Sequence, residues 1–184
     1  YPFADLRRKR TEAIERGVEV INLGIGDPDI PTPDPIVAEM VRAVQDEDDP
    51  NRHRYGCDVP TPEFPRAAID FYRRRFGVSL EEDQIVTTMG SKDAIAKFPM
   101  AFLNPGDVAL AARPGYPTYN IGTTFAGGVT YPMPLLAEND FLPDLGAIPA
   151  HTRRLAKVMW INYPNNPTTA TATLDFFEEV VEFG

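Results

Sequence analysis

From Gln84 onward, short apolar segments rich in β-branched residues alternate with helix-compatible ones, and this alternation restricts the fold more than any other feature. QIVTTM reads as a strand, GSKDAIAKFPMAFL as a helix, NPGD as a turn, VALAA as a buried strand, PGYPTYNIGTTFA as a helix and GGVTYP as a strand. AKVMWINY is a further near-continuous apolar strand, and LDFFEEVVEFG begins one more helix. Between them, Leu135 to Arg154 reads mostly as loop, with a short helix near Leu145. Parallel neighbours cannot be joined by a tight hairpin, so strands that alternate with helices need crossover connections. Those crossovers are right-handed, cover the sheet with helices, and leave the carboxyl ends of the strands as the place to hold a ligand. The expected class is α/β, a mostly parallel sheet with flanking helices.

The chain before Gln84 has a different rhythm. A charged, helix-compatible segment runs to Arg16 and can stop at Gly17, and VEVINL then reads as a short strand. GIGDPDIPTP is too rich in Gly, Pro and Asp to be anything but loop. Thr32 can cap a helix with Pro33 in its first turn, and Ile36, Val37, Met40, Val41 and Val44 follow at helical spacing. The charged, proline-bearing stretch QDEDDPNRHRYGCDVP breaks that pattern and is the candidate boundary, dividing the chain into residues 1–48 and 49–184. A second helix is expected from Thr61 and Pro62 through Phe64, Ala68 and Phe71 to Gly77.

Composition serves mainly to exclude. With 18 Lys+Arg against 27 Asp+Glu the net charge is −9, which disfavours nucleic acid or an anionic membrane as partner. The run Arg73-Arg74-Arg75 lies in a helical pattern and reads as a solvated face. The single Cys57 excludes an intrachain disulfide, and no spacing suggests a metal site. No apolar run approaches the roughly 20 residues that span a bilayer, and no signal peptide heads the chain. A cytoplasmic protein is the expectation.

With parallel strands, three loops meet at one sheet edge. Gly90-Ser91-Lys92 opens a helix, whose free N–H groups and dipole attract a phosphate. Arg113-Pro114-Gly115-Tyr116 presents an aromatic ring fenced by prolines, able to stack on a flat ligand. Tyr163-Pro164-Asn165-Asn166-Pro167-Thr168 offers two amides on a stiff backbone, suited to recognising a phenolic oxygen or a carboxylate. Each alone is also an ordinary feature: a turn and cap, an aromatic closing over the core, an Asn-rich turn. Together they suit a phosphorylated aromatic cofactor, and pyridoxal phosphate is one.

NYPNNPT, NPGD, PGYPTY and INLGIGDPD resemble the class I/II aminotransferases of pyridoxal-phosphate fold type I, and the resemblance covers essentially the whole chain. GSKDAI, YNIGTTFAGG, MPLL and NDFLPDL look most like the LL-diaminopimelate aminotransferase group. The resemblance implies an N-terminal arm with the first part of a small domain, then the first half of the large, pyridoxal-phosphate-binding domain. It implies that Gly90, Ser91 and Lys92 hold the cofactor phosphate, that Tyr116 stacks on the pyridine ring, and that Asn166 donates to the phenolate oxygen. Tyr55, in HRYG, matches the tyrosine that reaches the neighbouring subunit's phosphate, which implies a homodimer. Ile25 and Gly26 match the loop that closes over the substrate carboxylate. The substrates implied are an amino acid and a 2-oxo acid. Three positions depart from the family pattern: Thr169 and Pro60 stand where glycine is usual, and Pro65 where a helix-compatible residue is usual.

None of the four lysines, Lys9, Lys92, Lys97 and Lys157, matches the family's Schiff-base lysine, which belongs to a downstream serine-lysine motif. No catalytic residue is therefore assigned, and the chain reads as the N-terminal half of the enzyme, inactive alone. Two other outcomes share these motifs: a truncated homologue serving as a binding or assembly module, and part of a pyridoxal-phosphate-dependent β-lyase. A nucleotide-binding domain fares worse, because GIGDPD lacks the third glycine and GSK the upstream glycine of a phosphate loop.

Overall fold

The computed structural model describes residues 2–24, 26, 28–55 and 63–184. The chain forms two compact units, Tyr1–Asp58 and Val59–Gly184. In the first, α1 (Pro2–Glu15) ends at Gly17, whose φ of +79° is the left-handed conformation that glycine adopts without a Cβ penalty. The expected strand VEVINL does not form: residues 18–23 have no ladder among the described residues, and Ile21 and Leu23 are exposed. The second helix, α2 (Asp34–Gln45), starts later than its sequence signals suggest. Pro33, not Thr32, occupies the cap position, with no side-chain cap bond. The apolar stripe Ile36, Val37, Met40, Val41 and Val44 is exposed.

The second unit opens with α3 (Glu63–Phe76), which Gly77 ends at φ +69°. Thr61 and Pro62, its expected start, lie outside the described residues, as do Cys57 and Pro60. Pro65 falls in the first turn of α3, where its missing N–H has no intrahelical bond to lose. The expected strand QIVTTM is also absent. Gln84 closes a 3₁₀ turn (Glu82–Gln84), and the extended residues that follow pair with no described strand, leaving Val86 and Met89 84% and 85% exposed.

From there the alternation holds: α4 (Ser91–Phe102), β1 (Val108–Arg113), α5 (Thr118–Phe125), β2 (Val129–Pro134), α6 (Ala150–Leu155), β3 (Ala156–Trp160) and α7 (Leu174–Phe183). The helix expected near Leu145 begins instead after Pro149 at its cap position; around Leu145 the chain makes a turn in which Asp144 accepts from the Ala147 N–H. The sheet order is β2-β1-β3, and both pairings are parallel. Val108 to Ala111 of the central strand are all buried, as a strand covered on both faces requires. Val108, Leu110, Met133 and Ile148 form the core of one face, with Phe183 of α7 against them; Leu103, Ala109 and Val158, with Trp160, form the core of the other. On that second face α4 and α5 approach closely at Gly122, where a Cβ would sit 2.8 Å from the Ala96 carbonyl oxygen. Among the described residues no helix is long and apolar enough to cross a membrane.

Candidate functional site

The carboxyl ends of β1 and β3 share an edge because the strands are parallel, and short connections dictate what else lies there. Residues 103–107 join the end of α4 to the start of β1, so α4 runs back across the sheet with its N-terminus toward the end of β1. Gly90 is the cap residue of α4, with φ +75° and ψ 164°. A Cβ there would meet nothing within 4 Å, so the glycine answers a backbone need and not crowding. The turn is held from both sides. Gly90 N–H donates to the Thr88 carbonyl (2.9 Å), and the Thr88 hydroxyl donates to the Gly90 carbonyl (3.1 Å). Asp93 accepts from the Met89 N–H (3.3 Å) and pairs with Lys97 (2.8 Å). The Lys97 ammonium, chiefly, and the Met89 amide hold the Asp93 carboxyl below its usual range, against the opposing effect of desolvation. Ser91 and Lys92 are exposed at the start of α4; the Asp93 N–H donates to the Gly90 carbonyl (3.2 Å), while the Ser91 and Lys92 N–H groups have no intrahelical acceptor among the described residues. Gly90-Ser91-Lys92 therefore reaches the edge on α4, without the preceding sheet strand expected for it.

The second loop leaves β1 at Arg113. Gly115 cannot be replaced without displacement, because a Cβ there would lie 2.3 Å from the Ala112 carbonyl oxygen. This close turn brings up Tyr116, half-buried, with its ring edge-on to Tyr119 (centroids 5.9 Å, 80°). Tyr119 is 6% exposed, and burial, with a smaller effect of Tyr116, raises its phenol pKa. Arg113, Tyr116, Tyr119, Asn120 and Thr130 help to line a cleft of about 500 Å³ in which, among the described residues, Arg113 alone is charged.

The third loop divides its two asparagines between different tasks. Asn165 is 3% exposed. Its side-chain amide donates to the Thr168 hydroxyl (2.9 Å), its N–H donates to the Ala170 carbonyl (2.9 Å), and its carbonyl accepts from the Thr169 N–H (2.7 Å). Asn166 donates its backbone N–H to the Asn162 side-chain oxygen (3.2 Å), while its own side chain is exposed. Tyr163 anchors the loop from below, donating its hydroxyl to the Phe141 carbonyl (2.8 Å) and packing edge-on against Phe176 (5.6 Å). Burial raises the Tyr163 phenol pKa. Thr169 keeps the left-handed conformation of a glycine, at φ +61°, so the departure at this position leaves the turn in place and strains it.

Gly90, Ser91, Lys92, Tyr116 and Asn166 thus gather at one edge of the second unit. Tyr55 and Gly26 belong to the first unit. Tyr55 is fully exposed beside Pro50, His53 and Arg54, Gly26 is exposed, and Ile25 lies outside the described residues. The neighbouring side chains Asp93, Tyr119, Trp160, Tyr163 and Asn165 carry no local sequence signal of the contacts they make. Trp160 reads simply as the end of an apolar run, and Asn165 cannot be told from Asn166 by its neighbours.

The profile of the family described as aminotransferase class I and II matches residues 18–183. LL-diaminopimelate aminotransferase of Aquifex aeolicus (strain VF5) is 50% identical over 184 residues, covering 100% of this chain and 47% of the relative. Among solved structures, apo BacF from Bacillus subtilis aligns with a TM-score of 0.88 at 38% identity, over 99% of this chain and 46% of the other. Alanine aminotransferase from Pyrococcus furiosus aligns with a TM-score of 0.86 at 28% identity, over 99% and 46% respectively. The chain spans about half the length of the curated relatives it matches. The profile match covers nearly all of this chain, and the aligned structures share its parallel α/β architecture: the chain belongs to the class I and II aminotransferase family.

Proposed function

We propose that this chain is the N-terminal, cofactor-cradling portion of a pyridoxal-phosphate-dependent aminotransferase that moves an amino group between an amino acid, with LL-diaminopimelate as the candidate, and a 2-oxo acid. The observation that carries this is the division of labour at the sheet edge: Asn165 is tied into the loop while the neighbouring Asn166 amide is left exposed, beside a glycine-opened helix start and a half-buried tyrosine. These residues fit pyridoxal phosphate. The first-turn N–H groups of α4 and the Ser91 hydroxyl suit its dianionic phosphate, Lys92 adds a cation, Tyr116 offers a ring face, and the Asn166 amide can donate to a phenolate oxygen. When bound, the cofactor supplies the electron sink that makes the substrate's α-proton removable. The residues of this chain bind and orient it: Gly90 to Lys92 fix one end, Asn166 fixes the ring's rotation, and Tyr116 excludes water from one face.

Tyr55 is proposed to reach the phosphate in a second subunit, which makes the working protein a homodimer, and Ile25 and Gly26 to cover the substrate carboxylate. The proposed division is residues 1–48 as arm and start of the small domain, and 49–184 as the first half of the large domain. A cytoplasmic location is proposed on the single cysteine. No lysine of this chain is proposed as the Schiff-base residue. Lys97 pairs with Asp93, Lys9 pairs with Asp5, Lys92 lies in the first turn of α4, and Lys157 is exposed on β3.

The test is incubation of the chain with pyridoxal phosphate, borohydride reduction, intact-mass analysis and mapping of any adduct. Saturable binding that Asn166→Ala weakens, without a stoichiometric adduct, is the expected result. A single stoichiometric adduct on one of the four lysines would overturn the assignment of the Schiff-base residue elsewhere. Wild-type and Asn166→Ala chains that bind equally would overturn the role of Asn166.

A further inference from the structure

A ladder of aromatic rings runs behind the candidate site. Phe102 stacks on Phe98 (centroids 4.3 Å, 27°), and Phe98 meets Trp160 edge-on (5.6 Å, 67°). Trp160 stacks on Tyr119 (5.0 Å, 15°), and Tyr119 meets Tyr116 edge-on (5.9 Å, 80°). Apart from Tyr116, which lies in a loop, the rungs come from three elements, each of which adjoins one of the three loops. Phe98 and Phe102 belong to α4, which opens at Gly90; Tyr119 belongs to the first turn of α5, just after Tyr116; Trp160 is the last residue of β3, which runs on into Asn166. Within the ladder, Trp160 is the rung that touches rings from both helices while standing on the strand that carries the third loop.

Among the described residues, no hydrogen bond holds the indole of Trp160. Its N–H is buried and has no acceptor among the described residues, an arrangement that costs stability and is normally avoided. What the ring contributes is therefore its area and its plane, which lies nearly parallel to the Tyr119 ring. Gly122 already fixes how closely α4 and α5 approach, by backbone contact with Ala96. That contact leaves the tilt of the rings at the carboxyl edge to be set by what lies between them, and Trp160 lies there.

We infer that Trp160 is a positioning residue for the cofactor cradle, setting the plane of Tyr116 through Tyr119 and the placement of the α4 start through Phe98. This role rests on the assignment of Gly90, Ser91, Lys92 and Tyr116 as cofactor contacts. The informative pair of variants is Trp160→Phe, which keeps a flat ring and removes the unpaired N–H, and Trp160→Leu, which keeps an apolar side chain and removes the plane.

The experiment has two readouts on the full chain. The first needs no ligand: backbone amide shifts by ¹H–¹⁵N NMR. Trp160→Leu is expected to move the resonances of Gly90, Lys92, Tyr116 and Asn166, and Trp160→Phe to leave them near wild type. Shifts confined to the core neighbours Leu103, Ala109 and Val158 would overturn the inference. The second is titration with pyridoxal phosphate, read by the circular dichroism induced in its absorption band. Trp160→Leu is expected to weaken binding about tenfold through the displaced Tyr116 ring and α4 start, not through the lost ring contacts themselves, which are the same with and without ligand, and to change the induced signal. Trp160→Phe should stay within about threefold of wild type and keep the sign of that signal.

Equal behaviour of the two variants in both readouts would overturn the role of the ring plane. If Trp160→Leu fails to fold, Tyr119→Leu breaks the ladder one rung further on and is expected to give the same loss; wild-type binding in that variant would overturn the inference. Tyr116→Leu separates the two levels. If it binds like wild type, the cofactor assignment of Tyr116 falls and the inference with it. If it binds weakly while Trp160→Leu binds like wild type, only the inference falls.

Discussion

Asn165 and Asn166 are adjacent and chemically identical, yet replacing each with alanine should have opposite consequences. Asn165→Ala removes a side-chain hydrogen bond of 2.9 Å to Thr168 from a residue only 3% exposed. The lost bond, the partly stranded Thr168 hydroxyl and the vacated space together come to about 1–3 kcal/mol. Asn166→Ala removes an exposed side chain whose backbone N–H keeps its bond to Asn162, so its effect on stability should stay within about 0.5 kcal/mol. Urea denaturation followed by the fluorescence of Trp160, the single tryptophan, measures both. A local check is available in the Thr169 amide, which donates to the Asn165 carbonyl at 2.7 Å. Its hydrogen exchange should accelerate about tenfold or more in Asn165→Ala and hardly change in Asn166→Ala. Pyridoxal phosphate affinity should rank the other way. Loss of a hydrogen bond to a charged phenolate is worth about 1.5–3 kcal/mol, so Asn166→Ala should weaken binding by about tenfold or more. The reasoning fails if the two variants are equally destabilised, because both asparagines would then be holding the loop.

Three further perturbations follow from individual positions. Thr169→Gly should stabilise the chain by about 0.5–1 kcal/mol, since relief of about 1–2 kcal/mol of left-handed strain exceeds the added flexibility of the unfolded chain; a lowered urea midpoint would contradict it. Gly122→Ala should cost about 1–3 kcal/mol by driving a Cβ to 2.8 Å from the Ala96 carbonyl oxygen, and a neutral result in the same denaturation assay would show that α4 and α5 can part freely. Asp93 has its pKa lowered in the folded chain, so its contribution is fully present above its ordinary value of 3.8 and is lost as pH falls through the lower folded value. The stability gap between wild type and Asp93→Asn should therefore close in acid, and a gap independent of pH would show that Lys97 and Met89 do not favour the charged carboxylate.

What was legible in this chain is what depends on a residue and its immediate neighbours. Gly90 before a helix, Gly115 in a close turn and the prolines around Asn166 are local punctuation, and the loops they predict stand where expected. VALAA and AKVMW were legible as strands because β1 is covered on both faces and β3 continues the same sheet, which calls for unbroken apolar runs. VEVINL and QIVTTM have similar composition and form no strand, because a strand is a property of a pair and neither segment has a hydrogen-bonding neighbour among the described residues. The limit at the site is of the same kind. Asn165 differs from Asn166 in being buried with Thr168 and Ala170 within reach, and Trp160 is distinguished by having Phe98 and Tyr119 against its ring. Residues proposed to present atoms to a ligand, such as Gly90 and Asn166, stand in loops marked by glycine and proline, which leave a local signature. Residues that hold those atoms still do so through contacts made at a distance along the chain, so the supporting layer becomes visible only once the chain is folded.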